Sequence, residues 1–214
     1  MTGIRAQQRT ERREKMIVAA SQLFDRQGYA RTTFEQIAAA CDMGVATVYK
    51  YFGSKEGVVK ALLEPDLARI LRNGERIIAS PPADPVRAVT RLLMQYGDLG
   101  GHHWARRDLL RMTIFPGIGN EGVLGALVVE ADTQTRLQIR RLMTQLRTSG
   151  GLARDLDLES ASSVIFAVFN QHFAEFLTRE DLPYTKMFSS LSRHIRVLFA
   201  CWRPNTIQHQ GKRR

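Results

Sequence analysis

The chain has 214 residues, 44% of them hydrophobic and 24% charged, a composition that can bury a core and excludes a low-complexity or disordered chain. The formal net charge of +10 and the pI of about 10.2 favour a polyanionic partner: nucleic acid, an anionic membrane surface or an acidic ligand. The N-terminal MTGIRAQQRTERREK lacks the apolar centre of a signal peptide, and no run approaches the roughly eighteen apolar residues of a membrane span, so a cytoplasmic location and no membrane partner are expected.

Helical periodicity governs nearly the whole chain. Met16, Ala19, Ala20, Leu23 and Phe24 recur at three- and four-residue steps and form one apolar face. Gly28 follows as a stop. Thr32 and Glu35 have the spacing of a capping box, and Phe34, Ile37 and Ala38 then point inward. This short helix ends around Cys41-Asp42, where Asp suits turn geometry. A second short helix starts near Gly44 and runs through Tyr51. Ser54 opens a third, which continues to about Ala79.

Pro81, Pro82 and Pro85 break the pattern, with Asp84 placed to cap the next helix. Val86, Val89, Leu92, Leu93 and Tyr96 give that helix its face. The segment GDLGGHH interrupts. Further helices are expected from about Trp104 to Ile114, Glu121 to Thr148, Leu158 to Thr178 and Tyr184 to Trp202. Period-two alternation is nowhere sustained. The expected fold is all-α with about nine helices: an N-terminal three-helix domain over residues 1–56, whose first 14 residues form a flexible basic arm, and a larger helical bundle over 57–203, followed by a disordered tail, 204–214. Cys41 and Cys201 fit neither a metal spacing nor a disulfide framework and are expected as small buried hydrophobes.

Two short helices joined by a tight turn within a three-helix unit make a helix-turn-helix, whose second helix enters the major groove. That reading explains the composition of GVATVYKYFGSKE, residues 44–56. Tyr49 and Tyr51 offer phenolic hydroxyls to phosphates while their rings pack on the neighbouring helix. Lys50 and Lys55 supply charge, and Thr47 can bond a phosphate or a base edge. Gly44 and Ala46 allow close approach. The amide end of the next helix, near Ser54, presents partial positive charge. Val45, Ala46 and Lys50 are the exposed positions expected to read sequence. Arg5, Arg9, Arg12 and Arg13 could follow the backbone or minor groove.

In one register, GYARTTFEQIAAACDMGVATVYKYFGSKEGVV resembles the N-terminal signature of the tetracycline-repressor (TetR) family of bacterial transcription regulators. The elements are the Gly-aromatic stop, the paired Thr, the Ile-Ala of the supporting helix and Thr-hydrophobe-Tyr-x-Tyr-Phe-x-x-Lys-Glu. The likeness covers roughly Ala19 to Leu63. Asp42 stands where the family usually has Gly, Gly44 where Ser often caps the recognition helix, and Ala46 where Gly is common. The resemblance implies phosphate contacts from Thr33, Tyr49, Tyr51 and Lys55, and base or groove contacts from Val45, Ala46, Thr47 and Lys50. Phe52 is expected in the core.

The resemblance also implies a homodimer on a double-stranded operator, released by a small-molecule effector that is partly apolar. A coupling of about 1–3 kcal/mol through the long linking helix would suffice for that release. Two apolar stripes fit a dimer bundle of the last two helices: Ile165, Val168, His172 and Phe176 on one, Phe188, Leu191, Ile195 and Leu198 on the other. The family's effector cavity lies among the middle helices, which makes Leu92, Tyr96, Trp104, Leu110, Met112, Phe115, Phe166, Phe169, Asn170 and Phe173 its candidate lining. Asn170 is the candidate polar anchor. The loop Gly100–Trp104 offers only two adjacent histidines, too few for a metal; no metal and no cofactor are expected. Nothing in the sequence supports an enzyme: phosphate-binding glycine loop, nucleophile elbow and zinc-binding His pair are all absent. The alternative is a small-molecule-binding or adaptor protein on the same helices with DNA binding minor or lost. A membrane-surface role would need a purely cationic helix face, and Glu130 and Asp132 interrupt the one candidate.

Overall fold

The computed structural model describes residues 2–97, 107, 109–111 and 122–204. Eight helices have both ends among them: α1 (Thr2–Gln27), α2 (Phe34–Ala40), α3 (Val45–Phe52), α4 (Lys55–Ala79), α5 (Pro85–Gly97), α6 (Val123–Thr148), α7 (Leu158–Thr178) and α8 (Tyr184–Cys201). Arg107 and residues 109–111 are also helical, and no strand forms among the described residues. No helix of the described residues is long and apolar enough to cross a membrane.

The caps explain most of the boundaries. Gly28 closes α1 at φ 80°, donating its N–H to the Phe24 carbonyl at 2.9 Å. The Ser54 hydroxyl accepts from the Gly57 N–H at 3.2 Å and starts α4. Asp84 accepts from the Arg87 N–H at 2.7 Å, as expected of a cap for α5. Asp157 accepts from the N–H groups of Glu159 and Ser160 at the start of α7. Pro65 lies inside α4 without ending it, although its missing N–H removes one ladder bond.

Three expectations need correction. The cap of α2 is Thr33, one residue later than expected. Its hydroxyl accepts from the Gln36 N–H while the Gln36 side chain accepts from the Thr33 N–H. Both Thr-x-x-Glu and Thr-x-x-Gln have box spacing, and the register starting at 33 is the one that buries Phe34, Ile37 and Ala38. Thr32 is fully buried, and its hydroxyl donates to the Gly28 carbonyl at 2.9 Å. The stretch expected as a flexible arm, residues 1–14, is helical from Thr2 onward and extends α1 with residues 3–12 exposed. Its Gln, Arg and Glu residues are good helix formers. Cys201, finally, is exposed rather than buried.

The chain divides into two compact units, one of residues 1–70 with 98–132 and one of 71–97 with 133–214. The boundary expected at 56/57 falls within α4. The core of the first unit gathers Met16, Leu23, Phe34, Ile37, Val48 and Val59. The second is centred on Leu92, Ile139, Leu142, Met143, Ile165 and Leu191, each essentially without exposure.

Candidate nucleic-acid interface

The site is built on α2, α3 and the ends of α1 and α4. The α2–α3 turn places Asp42 at φ 55°, the one non-glycine residue with positive φ among those described. A short acidic side chain tolerates that left-handed geometry better than most. The Met43 N–H donates to the Ala38 carbonyl at 2.9 Å and closes the turn. Gly44 then caps α3 without a side-chain hydrogen bond, as its identity requires.

Helix α3 has two faces. Val48 is completely buried, and Val45, Tyr51 and Phe52 pack half-buried against the core of the unit. Ala46, Tyr49 and Lys50 are exposed, with half-buried Thr47 beside them. Tyr49 is 53% exposed, yet its ring meets Phe34 edge-on with centroids 4.4 Å apart. That contact packs one side of the ring while much of the side chain stays exposed. Val45, expected to read bases, is half-buried and packs against the core of the unit. Phe52, expected in the core, packs on its margin.

The α1–α2 turn is tied down by side chains. Gln27 donates from its amide to the Arg31 carbonyl, the Thr32 hydroxyl and Gln36 Oε1, the last at 2.7 Å. Lys55 reaches across from the first residue of α4. Its ammonium donates to the carbonyls of Tyr29 (2.9 Å) and Thr32 (3.1 Å) and lies 4.1 Å from the centre of the Tyr29 ring. The Tyr29 hydroxyl donates to Glu56 Oε1 at 3.0 Å. Burial, and then the Glu56 carboxylate, push the Tyr29 phenol well above its ordinary pKa. Hydrogen bonds from its own backbone N–H, then from Ser54, hold the Glu56 carboxyl below the usual range. Thr33, exposed, accepts the Gln36 N–H as a cap, and its hydroxyl also bonds the Glu35 carboxylate.

Arg13 pairs with Glu64 at 3.8 Å and stands 6.0 Å from the Phe52 ring. Tyr29, at the other end of α1, meets Glu56. α1 and the first turns of α4 therefore run in opposite senses, and Arg5, Arg9 and Arg12 of α1 are exposed. Residues 1–70 carry 11 Lys and Arg against 8 Asp and Glu, and residues 71–214 carry 20 against 13. The basic excess thus does not distinguish one region from the other.

Residues 16–62 match the sequence pattern described as bacterial regulatory proteins, tetR family. The likeness to that family covers the N-terminal helices, about a fifth of the chain. NicS, an HTH-type transcriptional repressor of Pseudomonas putida, is 33% identical over 92 residues, 43% of each chain. EthR, an HTH-type transcriptional regulator of Mycolicibacterium smegmatis, is 28% identical over 93 residues, 44% of this chain and 43% of its own. Each of these matches spans less than half of the relative's length. SmeT, the repressor of a multidrug efflux pump of Stenotrophomonas maltophilia, shares the fold with a TM-score of 0.65 at 20% identity, over 89% of each chain.

The second unit holds Leu92, Tyr96, Phe166, Phe169 and Phe173, all buried, and Asn170, half-buried. Tyr96 meets Phe169 edge-on at 6.0 Å, and Phe169 stacks on Phe173 at 5.6 Å. Leu110, expected with them, belongs to the first unit and packs on its core. Trp104, Met112, Phe115 and the loop Gly100–Trp104 lie outside the described residues, as does the tail from 205. The buried amide of this region is Gln138, which the sequence reading missed. Its Oε1 accepts from the Tyr96 hydroxyl at 2.7 Å, and its amide donates to the Leu71 carbonyl at 2.9 Å and to Glu75 at 2.8 Å. Arg141 adds a bond to Glu75 at 2.7 Å. The available signal was a glutamine on the buried face of α6, beside Ile139 and Leu142.

The expected dimer stripes are turned inward. Ile165, His172, Phe176, Phe188, Leu191 and Ile195 are buried within one protomer, where α7 packs on α8. Val168 and Leu198 are half-buried. A helix with apolar residues on two sides does need two partners, but here these residues serve the inner one. The outer face carries Val164, Ala167 and Gln171 of α7 and Arg193 and Val197 of α8, with Val164 and Val197 exposed by 41% and 65%.

Proposed function

We propose that this protein is a sequence-specific, double-stranded-DNA-binding transcriptional repressor that acts in the cytoplasm as a homodimer and leaves a palindromic operator when a small, partly apolar effector binds. The observation that carries the reading is the outward face of α3, where Ala46, Tyr49 and Lys50 stand together on a helix whose other face is anchored in the core. Residues 1–56 would hold the DNA-binding function, with Thr33 and Tyr49 on phosphates and Ala46, Thr47 and Lys50 toward base edges. Tyr51, half-buried, would reach a phosphate only with its hydroxyl.

One eight-residue helix offers few contacts, so affinity needs a second half-site about 34–36 Å away or a multiple of that. The exposed Val164 and Val197, on adjacent helices, support a second protomer on that face. The region 57–203 would supply the effector site, with the aromatic cluster of Tyr96, Phe166, Phe169 and Phe173 as its apolar part and Gln138 as its polar centre. An effector can release DNA only by binding one state better than the other.

The test is selection of duplexes from genomic DNA at fixed, near-physiological salt, with wild type beside the Tyr49→Ala, Lys50→Ala double variant. The wild type should enrich one or a few near-palindromic sites that the variant loses. Weak capture by both, with no shared motif, would transfer the function to the small-molecule or adaptor reading.

A further inference from the structure

Two ends of the N-terminal sequence signature, Tyr29 and Lys55-Glu56, meet in the fold although 26 residues separate Tyr29 from Lys55. The resemblance places Lys55 among the phosphate contacts. The geometry points to a different role, and we propose that Lys55 is a positioning residue: with Tyr29 and Glu56 it clamps the α1–α2 turn to the start of α4 and so fixes α2 and α3 for DNA, without itself neutralising a phosphate. The proposal rests on the DNA-binding reading above.

Two of the three ammonium donors are committed, to the Tyr29 and Thr32 carbonyls. The ammonium also lies 4.1 Å from the Tyr29 ring centre, where the charge is drawn toward the ring. Thr32 immediately precedes the cap of α2, so a bond to its carbonyl acts at the point where α2 begins. The same turn is held from its other side by Gln27 and by the bond from Thr32 Oγ1 to the Gly28 carbonyl. Tyr29 completes the clamp by donating to Glu56, the neighbour of Lys55 in the first turn of α4. Freed of Lys55, the turn would leave two carbonyls to find water and would loosen the entry to α2. α3 packs on α2 through Phe34 and Tyr49, so its aim would loosen with it.

A cation that neutralises a phosphate and one that only positions a helix differ in salt dependence. Each neutralised phosphate adds about 0.9 to the slope of log affinity against log salt. The experiment therefore measures that slope for full-length wild type, Lys55→Met, Tyr29→Phe and, as a control that removes a cation from the outward face of α3, Lys50→Gln. The probe is the duplex sequence enriched from a random pool, or the random-sequence duplex itself if none is enriched. Hydrogen exchange of the amides of residues 33–37 is followed in the free proteins, and Lys55→Arg serves as a second variant if Lys55→Met fails to fold.

Lys55→Met should bind on the order of ten-fold more weakly with an unchanged slope, and its residues 33–37 should exchange faster. Tyr29→Phe should show a smaller change of the same kind. Lys50→Gln should weaken binding with exchange unaltered and lose no more than about 0.9 of slope. Lys55→Arg should fail to restore the affinity, since a planar fork does not reproduce one compact ammonium beneath a ring and between two carbonyls. A drop of about 0.9 in slope for Lys55→Met would make Lys55 a phosphate contact and overturn the proposal. Unchanged exchange would overturn it as well. Failure of the wild type to enrich any sequence would sink the regulator reading instead, while slope and exchange still decide the clamp.

Discussion

Helix α4 carries a glycine in each unit, and the two are crowded by different things. A Cβ placed at Gly57, in the first unit, would lie 2.0 Å from the carbonyl oxygen of Phe52 and 3.0 Å from its carbonyl carbon. One placed at Gly74, in the second, would lie 2.1 Å from Oε1 of Gln138 and 2.9 Å from its amide carbon. The first neighbour is backbone at the end of the recognition helix; the second is the tip of a side chain. In the N-terminal unit, then, α3 and α4 are held in a fixed register by main chain. In the other unit the same helix is held by a polar network that can rearrange at a cost. The difference suits a rigid reading head and a region able to respond.

Substitution tests the contrast directly. Gly57→Ala should cost about 3 kcal/mol or more, because no side chain can move aside and Phe52 must shift; chemical denaturation would show it, and DNA affinity should fall further than stability alone explains. If Gly57→Ala leaves both unchanged, the fixed register is wrong. Gly74→Ala should cost less, about 1–2 kcal/mol net. Displacing Gln138 leaves Tyr96 and Leu71 without a partner, while alanine returns up to about 1 kcal/mol of helix propensity. Adding Gln138→Ala to Gly74→Ala makes room for the new methyl, so a strongly sub-additive cycle in denaturation midpoints is expected; plain additivity would remove Gln138 as the cause.

The smallest effect is a response to acid in α7 and α8 that α2 and α3 do not share. His172 is buried and its Nε2 lies 2.7 Å from Nδ1 of His194, with the rings stacked. Burial, then His194, lower its pKa from the ordinary 6.5, with Arg193 acting the same way and Glu175, 3.9 Å away, opposing. The native state thus resists a proton that the unfolded chain accepts. Its stabilising contribution is complete above the unfolded pKa and is lost as pH falls through about 6.5 and below. Residues 2–70 contain no histidine. Between pH 7 and 5.5, hydrogen exchange should therefore quicken in α7 and α8 and stay level in α2 and α3, and His172→Gln should flatten the response. Equal acid sensitivity in both regions would break the distinction.

The contrast also explains what could be read in the chain beforehand. The helices, the position of the helix-turn-helix and the exposed Tyr49 and Lys50 were legible because caps and faces are local patterns of three or four residues. The cap of α2 was misread by one residue because Thr32 and Thr33 both have a box partner, and only the burial of Phe34 separates them. Lys55 looked like a free cation because its partners are carbonyls, which have no sequence signature. Gln138 was invisible for a related reason: Tyr96, Leu71 and Glu75 lie 42 or more positions away. The inward turn of Ile165 and Ile195 was hidden because periodicity identifies an apolar stripe without saying which neighbour it meets.

Asp42 bears on how this head could be re-engineered. With φ at 55°, the turn accepts a small set of residues, glycine, asparagine and aspartate foremost. A library meant to redirect sequence preference should hold position 42 to that set and leave Val45 and Val48 apolar. Randomisation would then be confined to Ala46, Tyr49 and Lys50, whose side chains are exposed, so that variants differ in what they read and not in whether they fold.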